Sequence, residues 1–283
     1  MASARHPYQG ERAALLTQHA KERVIAPAWR ETFEAEVLVV RDFDTDLLGT
    51  FTREVSRQGT QLDAARRKAE LACERSGLPL GLGSEGSFSP GPFGLGSWNR
   101  ELVVFLDAAR GLEVVGQACE PGLHCHGLVS SLEELVAFAR DAGFPEHGLV
   151  LRPDDERGAQ ARKGLRSWAE LEAAFCSVLP AAQTGRVFVE NDLRAHQHPS
   201  RMAVIQLAMR DLLTRLVCLC PSCSRPGFGH VAAVTGLPCQ ECGMPTEVPR
   251  ADEYGCQACG QRERRPREGA RFADPSRCEQ CNP

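Results

Sequence analysis

The sequence predicts an α/β fold: a mixed twisted sheet flanked by helices over residues 1–217, followed by a small zinc-ribbon domain over residues 218–283. Three observations lead there. Short apolar runs of strand length alternate with capped segments of helix length from Arg12 to Val217. Cysteine usage then changes, because eight of the 13 cysteines form four Cys-x-x-Cys pairs beyond Cys218. A chain of 283 residues with 42% hydrophobic residues also has room for one larger core and one small domain.

The totals narrow the classes of function. A net charge of −4 gives no general nucleic-acid binder. The opening residues lack the apolar run of a signal peptide, and no apolar stretch reaches membrane-spanning length. The expectation is a cytoplasmic protein that does not enter a membrane. In that setting the paired cysteines read as metal ligands rather than disulfides.

The elements follow in order. Arg12 to Gln18 is a short apolar run that ends at Thr17, and a helical segment is expected before Pro27. Val37 to Val40 reads as a buried strand. Asp42, Asp44 and Asp46 after it read either as a solvated turn or as ligands, without the full spacing of a calcium loop.

Thr60 to Phe88 is the stretch around which the first domain is organised. Thr60 caps a helix with Asp63 three positions on, and Leu62, Ala65, Ala69 and Ala72 form a narrow small-residue face. Gly77 and Pro79 end that helix. Leu80 to Gly83 reads as a short strand that delivers Glu85 on a loop, and Gly81 to Trp98 as a flexible segment bordering a site. Ligands of α/β proteins gather at the carboxyl ends of strands, so Asp63, Lys68 and Glu85 are expected to converge.

Glu101 to Asp107 and Leu112 to Gln117 form a hairpin. Cys119, His124, Cys125 and His126 match no common metal spacing and read as structural. Ser131 to Ala142 is a helix with Ser131 and Glu134 as its capping box. Phe144 to Pro153 leads into a strand, and a basic loop carries Lys163. Ser167 to Val178 is a helix, Val187 to Val189 a strand, and Ser200 to Val217 a long core helix.

Among 33 basic residues only Lys21, Lys68 and Lys163 are lysines. Codon bias alone would leave a few. Yet each stands beside one of these motifs, and a compact ammonium on a flexible stem suits phosphate where the flat arginine fork does not.

In the tail, Cys220/Cys223 and Cys239/Cys242 are separated by 15 residues, and Cys256/Cys259 and Cys278/Cys281 by 18. Each interval fits a four-thiolate zinc ribbon, which gives two structural zinc sites, and an interleaved pairing of the knuckles is the alternative. Eight arginines balance eight acidic residues there, and two tetrathiolate sites add further negative charge. The tail therefore reads as a stapled docking module, with Arg262, Arg264, Arg265 and Arg267 as a local basic run for an RNA or protein partner.

The motif order resembles the inosine triphosphate pyrophosphatase superfamily, including its Maf-like branch, over roughly residues 12–217. The residues are Thr60, Asp63, Ala64, Ala65, Lys68 and Ala69, then Glu85 and Gly86. They are preceded by Thr17, His19 and Lys21, and followed by Lys163 with Ala169, Glu170 and Leu171, then by His198, Ser200 and Arg201. Asp63 stands where that family has Glu, Ala64 where it has Asn, and the first motif is one residue shorter. The whole chain also resembles a bacterial domain family of unknown function that carries such a tail.

The resemblance implies hydrolysis of a nucleoside triphosphate, or a related phosphorylated substrate, with Mg²⁺ or Mn²⁺ as cofactor. It implies Asp63 and Glu85 as catalytic carboxylates. Thr17, His19, Lys21, Lys68, Lys163, Arg194, His196, His198 and Arg201 would bind phosphate or base. The alternative is a nucleotide- or RNA-binding adaptor without catalysis. Either reading is compatible with a homodimer.

Overall fold

The structure is a computed structural model that describes residues 5–45, 59–91, 94–157 and 160–283. Asp46, the last of the three spaced aspartates, lies outside the described residues. The chain divides into two compact units, Met1–Leu213 and Thr214–Pro283. Among the described residues no helix is long and apolar enough to cross a membrane.

The first unit is α/β, and its described residues form two sheets rather than one. The first sheet contains β1 (Ala13–Leu16), β2 (Val37–Val40), β3 (Leu80–Pro90), β4 (Ser97–Asp107) and β5 (Leu112–Gly122), in the order β2-β1-β3-β4-β5. β2, β1 and β3 run parallel, and β3, β4 and β5 form an antiparallel meander, so this sheet is mixed as expected. The second sheet is antiparallel throughout. It contains β6 (His126–Val129), β7 (Leu149–Pro153), β8 (Arg162–Leu165) and β9 (Val187–Asn191), in the order β6-β9-β7-β8.

Helix α1 (Glu22–Phe33) links β1 to β2 and continues through Pro27, where the sequence suggested an end. Burial of Ile25, Trp29 and Phe33 on one face outweighs the donor that proline removes. Trp29 stacks on Phe105 of β4 at 5.6 Å. Helix α2 (Gln61–Ser76) begins with the expected Thr60–Asp63 capping box and ends at left-handed Gly77. Its Ala65 and Ala69 pack against Val104. The helix sits so low on β3 that a side chain at Gly81 or Gly83 would collide with the carbonyls of Ala69 and Ala65.

This explains the main departure from the sequence reading. Up to Pro90, the stretch that begins at Gly81 is strand rather than a flexible segment. β3 runs from Leu80 to Pro90 in full register with β4, and its glycines make room for α2. Helix α5 (Pro199–Val217) covers the opposite face, where Gly116 of β5 meets the backbone at Ala208 and Leu212.

Helices α3 (Leu132–Asp141) and α4 (Trp168–Val178) cover the second sheet. Leu135, Ala139, Leu171 and Phe175 meet Leu149, Leu151, Val187 and Val189 in one core. Ser131 caps α3, but the Glu134 carboxylate reaches back to Ser130 rather than to Ser131. Lys163, expected on a loop, lies in β8.

The second unit is a three-stranded antiparallel sheet of β10 (Gly229–Thr235), β11 (Pro249–Gly255) and β12 (Arg262–Pro266), with the cysteine pairs at its two ends.

Candidate functional site

The site of the first unit forms where β1 stops. β1 pairs with β3 only at Ala14↔Gly81 and Leu15↔Leu82, whereas β3 continues to Pro90. Among the described residues that edge of β3 has no strand neighbour beyond Leu82, so its carbonyls need other partners. The chain leaves β1 through Thr17, turns at Ala20 with φ at 57°, and places Lys21 at the start of α1. The Lys21 ammonium donates to the Ser84 carbonyl at 3.0 Å and to its hydroxyl at 3.3 Å.

Two buried ion pairs flank Lys21, one on each face of the sheet. On the α2 side, Lys68 Nζ meets Glu85 Oε2 at 2.5 Å. On the α5 side, Arg201 Nε meets Glu101 Oε1 at 2.6 Å, and Arg201 also donates to the Leu193 carbonyl. Lys21, Lys68, Glu85, Glu101 and Arg201 are each at most 8% exposed. Gly86 lies between them, and a Cβ there would strike the Glu101 carboxylate and the Arg201 guanidinium.

Among the described residues, three basic and two acidic side chains are thus buried together around the end of β1. Burial, followed by repulsion from Arg201 and Lys68, brings the Lys21 ammonium down to about 7. His19 is pushed down to about 3, by burial first and then by Lys21. It stacks on His196 at 5.4 Å, and His196 is also lowered by burial and by Arg194. Arg194 is held by Asp192, a fully buried carboxylate that also accepts from the Gly164 amide, next to Lys163. The crevice therefore offers a set of cations and neutral imidazoles suited to an anion.

Several expected residues take other places. Asp63 is exposed at the start of α2, bonded to Thr60 and Arg66, and those bonds hold its carboxyl below the usual range. It lies five residues from Lys68, which puts the two on different sides of the helix. Ala64, four residues before Lys68, is the residue that shares the buried face. Glu85 is in mid-strand rather than on a loop. His198 is fully buried and bonded to the Leu123 carbonyl and the Arg201 amide, and burial brings it down to about 4. Its role there is to hold the start of α5. Thr17 is buried at the end of β1 and accepts from the His19 amide at 3.4 Å.

Glu101 and Asp192 were not anticipated. The signal for Glu101 is a charge directly before the apolar run Leu102–Leu106 of β4, and for Asp192 an acid directly after β9.

The site holds no ready cage for Mg²⁺ or Mn²⁺. Among the described residues, the groups of three or more His, Cys, Asp or Glu close enough to share an ion are the two cysteine tetrads. Glu85 is committed to Lys68 and Asp63 to its cap, so no step is assigned to a protein-held divalent ion.

The tetrads pair in the interleaved way. Cys220 and Cys223 meet Cys256 and Cys259, while Cys239 and Cys242 meet Cys278 and Cys281. Strand direction explains why. β10 leads away from the first knuckle to the second, β11 returns to the third beside the first, and β12 runs back so that the fourth meets the second. Sequential ribbons would need each hairpin to close on its own knuckles.

Sulfur separations of 3.7, 3.7, 3.8 and 3.6 Å join the knuckles. A tetrahedron with Zn–S bonds of about 2.3 Å has edges of about 3.8 Å, so both tetrads fit zinc. Each arginine of the run is ion-paired within the same sheet: Arg262 and Arg264 share Glu253, Arg265 faces Glu263 and Arg267 faces Asp252. Arg265 also lies over the Tyr254 ring at 4.3 Å.

A family model described as Domain of unknown function (DUF6671) matches residues 68–283. The chain belongs to that family. The DUF6671 match takes in Lys68, Glu85, Glu101, Arg201 and all eight knuckle cysteines, and leaves out Lys21 and His19. No curated protein and no solved structure matches the chain.

Proposed function

We propose that the first unit of this DUF6671 protein binds a nucleotide or a related phosphorylated small molecule in the crevice beside β3 and hydrolyses its phosphoanhydride bond. One observation carries the reading. Five buried charged side chains, drawn from the start of α1, from α2, β3 and β4, and from α5, converge where β1 ends. Burying that many charges is expensive, and an excess of cations over carboxylates is compensated when an anion enters.

The chemistry follows from the pairs. Incoming phosphate competes with Glu85 for the Lys68 ammonium. Once the ammonium turns to phosphate, the Glu85 carboxylate is left beside it to take a proton from water, while Lys21 and Arg201 stabilise charge on the phosphoryl oxygens. The second unit acts as a zinc-stapled docking module.

A second reading, ligand binding without turnover, is favoured by the engagement of Asp63 with Thr60 and Arg66 at the start of α2 and by the Lys68–Glu85 pairing. Pyrophosphate and phosphate release from a panel of nucleoside triphosphates, with and without Mg²⁺, separates the two. Release that is lost in Glu85→Gln supports hydrolysis. Saturable binding without release supports the adaptor.

A further inference from the structure

Asn99 on β4 is 1% exposed, and among the described residues neither its amide oxygen nor its amide nitrogen has a hydrogen-bond partner. Buried amides are otherwise almost always paired, because the desolvation cost stays uncompensated when they are not. Two unsatisfied atoms on one side chain therefore need an explanation.

Its position suggests one. Asn99 is two residues from Glu101 on the same strand, so both side chains project from the same face, about 7 Å apart along β4. Glu101 holds Arg201 in the crevice. Around Asn99 the face becomes aromatic. Phe88 is its direct partner on β3, and the Phe88 ring lies 5.4 Å from His124 and 5.8 Å from His198. Gly122 of β5 completes the ring, since a Cβ there would come within 2.8 Å of Phe88 and 3.0 Å of Asn99. Phe88 and His124 are half-buried, so this end of the face lies nearer to solvent than Asn99 does.

We propose that Asn99 is the specificity-determining residue of the phosphate site: its amide reads the edge of a nucleobase that carries a hydrogen-bond donor next to an acceptor. The inference rests on the phosphate-site reading above. One amide offers one acceptor and one donor side by side, whichever way it is turned, and this matches such an edge bidentately. A sugar or an inorganic anion leaves the amide unmatched. The spacing agrees, because one strand repeat separates the cation cluster from the amide, as a sugar separates phosphate from base. The unpaired amide is then a stability cost retained for recognition.

The test is calorimetric titration of the full chain with pyrophosphate, ribose 5-phosphate, the common nucleoside monophosphates and purine riboside 5′-monophosphate, whose base lacks the donor. At least one nucleotide with a donor–acceptor edge binds tenfold or more tightly than both ribose 5-phosphate and the purine riboside control. Asn99→Val and Asn99→Ala abolish that difference and leave pyrophosphate affinity within about twofold. In the ligand-free protein Asn99→Val melts about 2 °C or more above wild type, because an unpaired amide is removed. A preference that survives in both variants, equal affinity for ribose 5-phosphate and every nucleotide, or a lower melting point for Asn99→Val overturns the role of Asn99. Failure of pyrophosphate and every nucleotide to bind the wild type overturns the phosphate site as well, and is distinguished by the pyrophosphate arm.

Discussion

Replacing Arg201 by Met should be among the most destabilising single changes in the first unit. The Arg201 and Glu101 side chains are 1% and 0% exposed and meet at 2.6 Å. Removing one partner of such a pair leaves a buried, uncompensated charge, which costs about 3–5 kcal/mol. Loss of the bond to the Leu193 carbonyl adds about 1 kcal/mol. Relief of the repulsion on Lys21 returns part of this. At about 2–4 °C per kcal/mol for a unit of this size, a net loss of about 3–5 kcal/mol lowers the melting transition by roughly 6–20 °C.

The double variant Glu101→Met with Arg201→Met removes both charges and supplies apolar volume. It should recover to within about 2 kcal/mol of wild type, giving a coupling energy of at least about 2 kcal/mol. The assay is urea unfolding of wild type, both single variants and the double variant, followed by Trp fluorescence, since Trp29 is buried beside Phe105. Additive costs in the double variant, or a loss below about 1 kcal/mol for Arg201→Met, would refute the claim that the pair forms a coupled, desolvated unit.

Other consequences follow from single contacts. Lys21 has a folded value of about 7 against an ordinary 10.5, so the unfolded chain holds more protons between those values. Stability should therefore rise with pH across that window, and the rise should shrink in Lys21→Met when melting is followed from pH 7 to 10. For the same group, affinity for pyrophosphate should fall as pH rises above about 7, because the ammonium loses its charge. Cys220→Ser combined with Cys256→Ser disables one tetrad and should keep one zinc per chain by elemental analysis, whereas sequential ribbons would keep none. Gly83→Ala puts a methyl against the Ala65 carbonyl and should cost about 1–3 kcal/mol in the same unfolding assay.

The parts of this molecule that can be read from sequence are those governed by local spacing. Four Cys-x-x-Cys knuckles declare their ligands because a thiolate pair two residues apart can grip one ion. Thr60 and Asp63 declare a helix start, and the structure forms that capping box. The same local chemistry explains why Asp63 is absent from the crevice: a carboxylate satisfied by its own helix start has no need of a distant partner. Helix α2 carries Lys68 into the site because its small-residue face fixes which side is buried.

What was hidden depends on tertiary contacts. Only Leu80 to Gly83 of β3 reads as strand in the sequence, and the rest reads as loop because its glycines suggest flexibility, whereas Gly81 and Gly83 are small so that α2 can lie on them and Gly86 so that Glu101 and Arg201 can meet beside it. Glu101 becomes meaningful only when α5, 100 residues later, brings Arg201 to it. The knuckle pairing depends on the direction of three strands and not on the intervals between cysteines.

The most direct test of the central claim is pyrophosphate and phosphate release from nucleoside triphosphates, including deaminated and modified bases, by the zinc-loaded full chain. It compares wild type with Glu85→Gln and Lys68→Ala, with melting curves to confirm folding. The account predicts release by wild type that falls at least 100-fold in Glu85→Gln, which removes about 2.7 kcal/mol or more of transition-state stabilisation. Undiminished release in a folded Glu85→Gln protein, or no release from any substrate by the folded wild type, would contradict it.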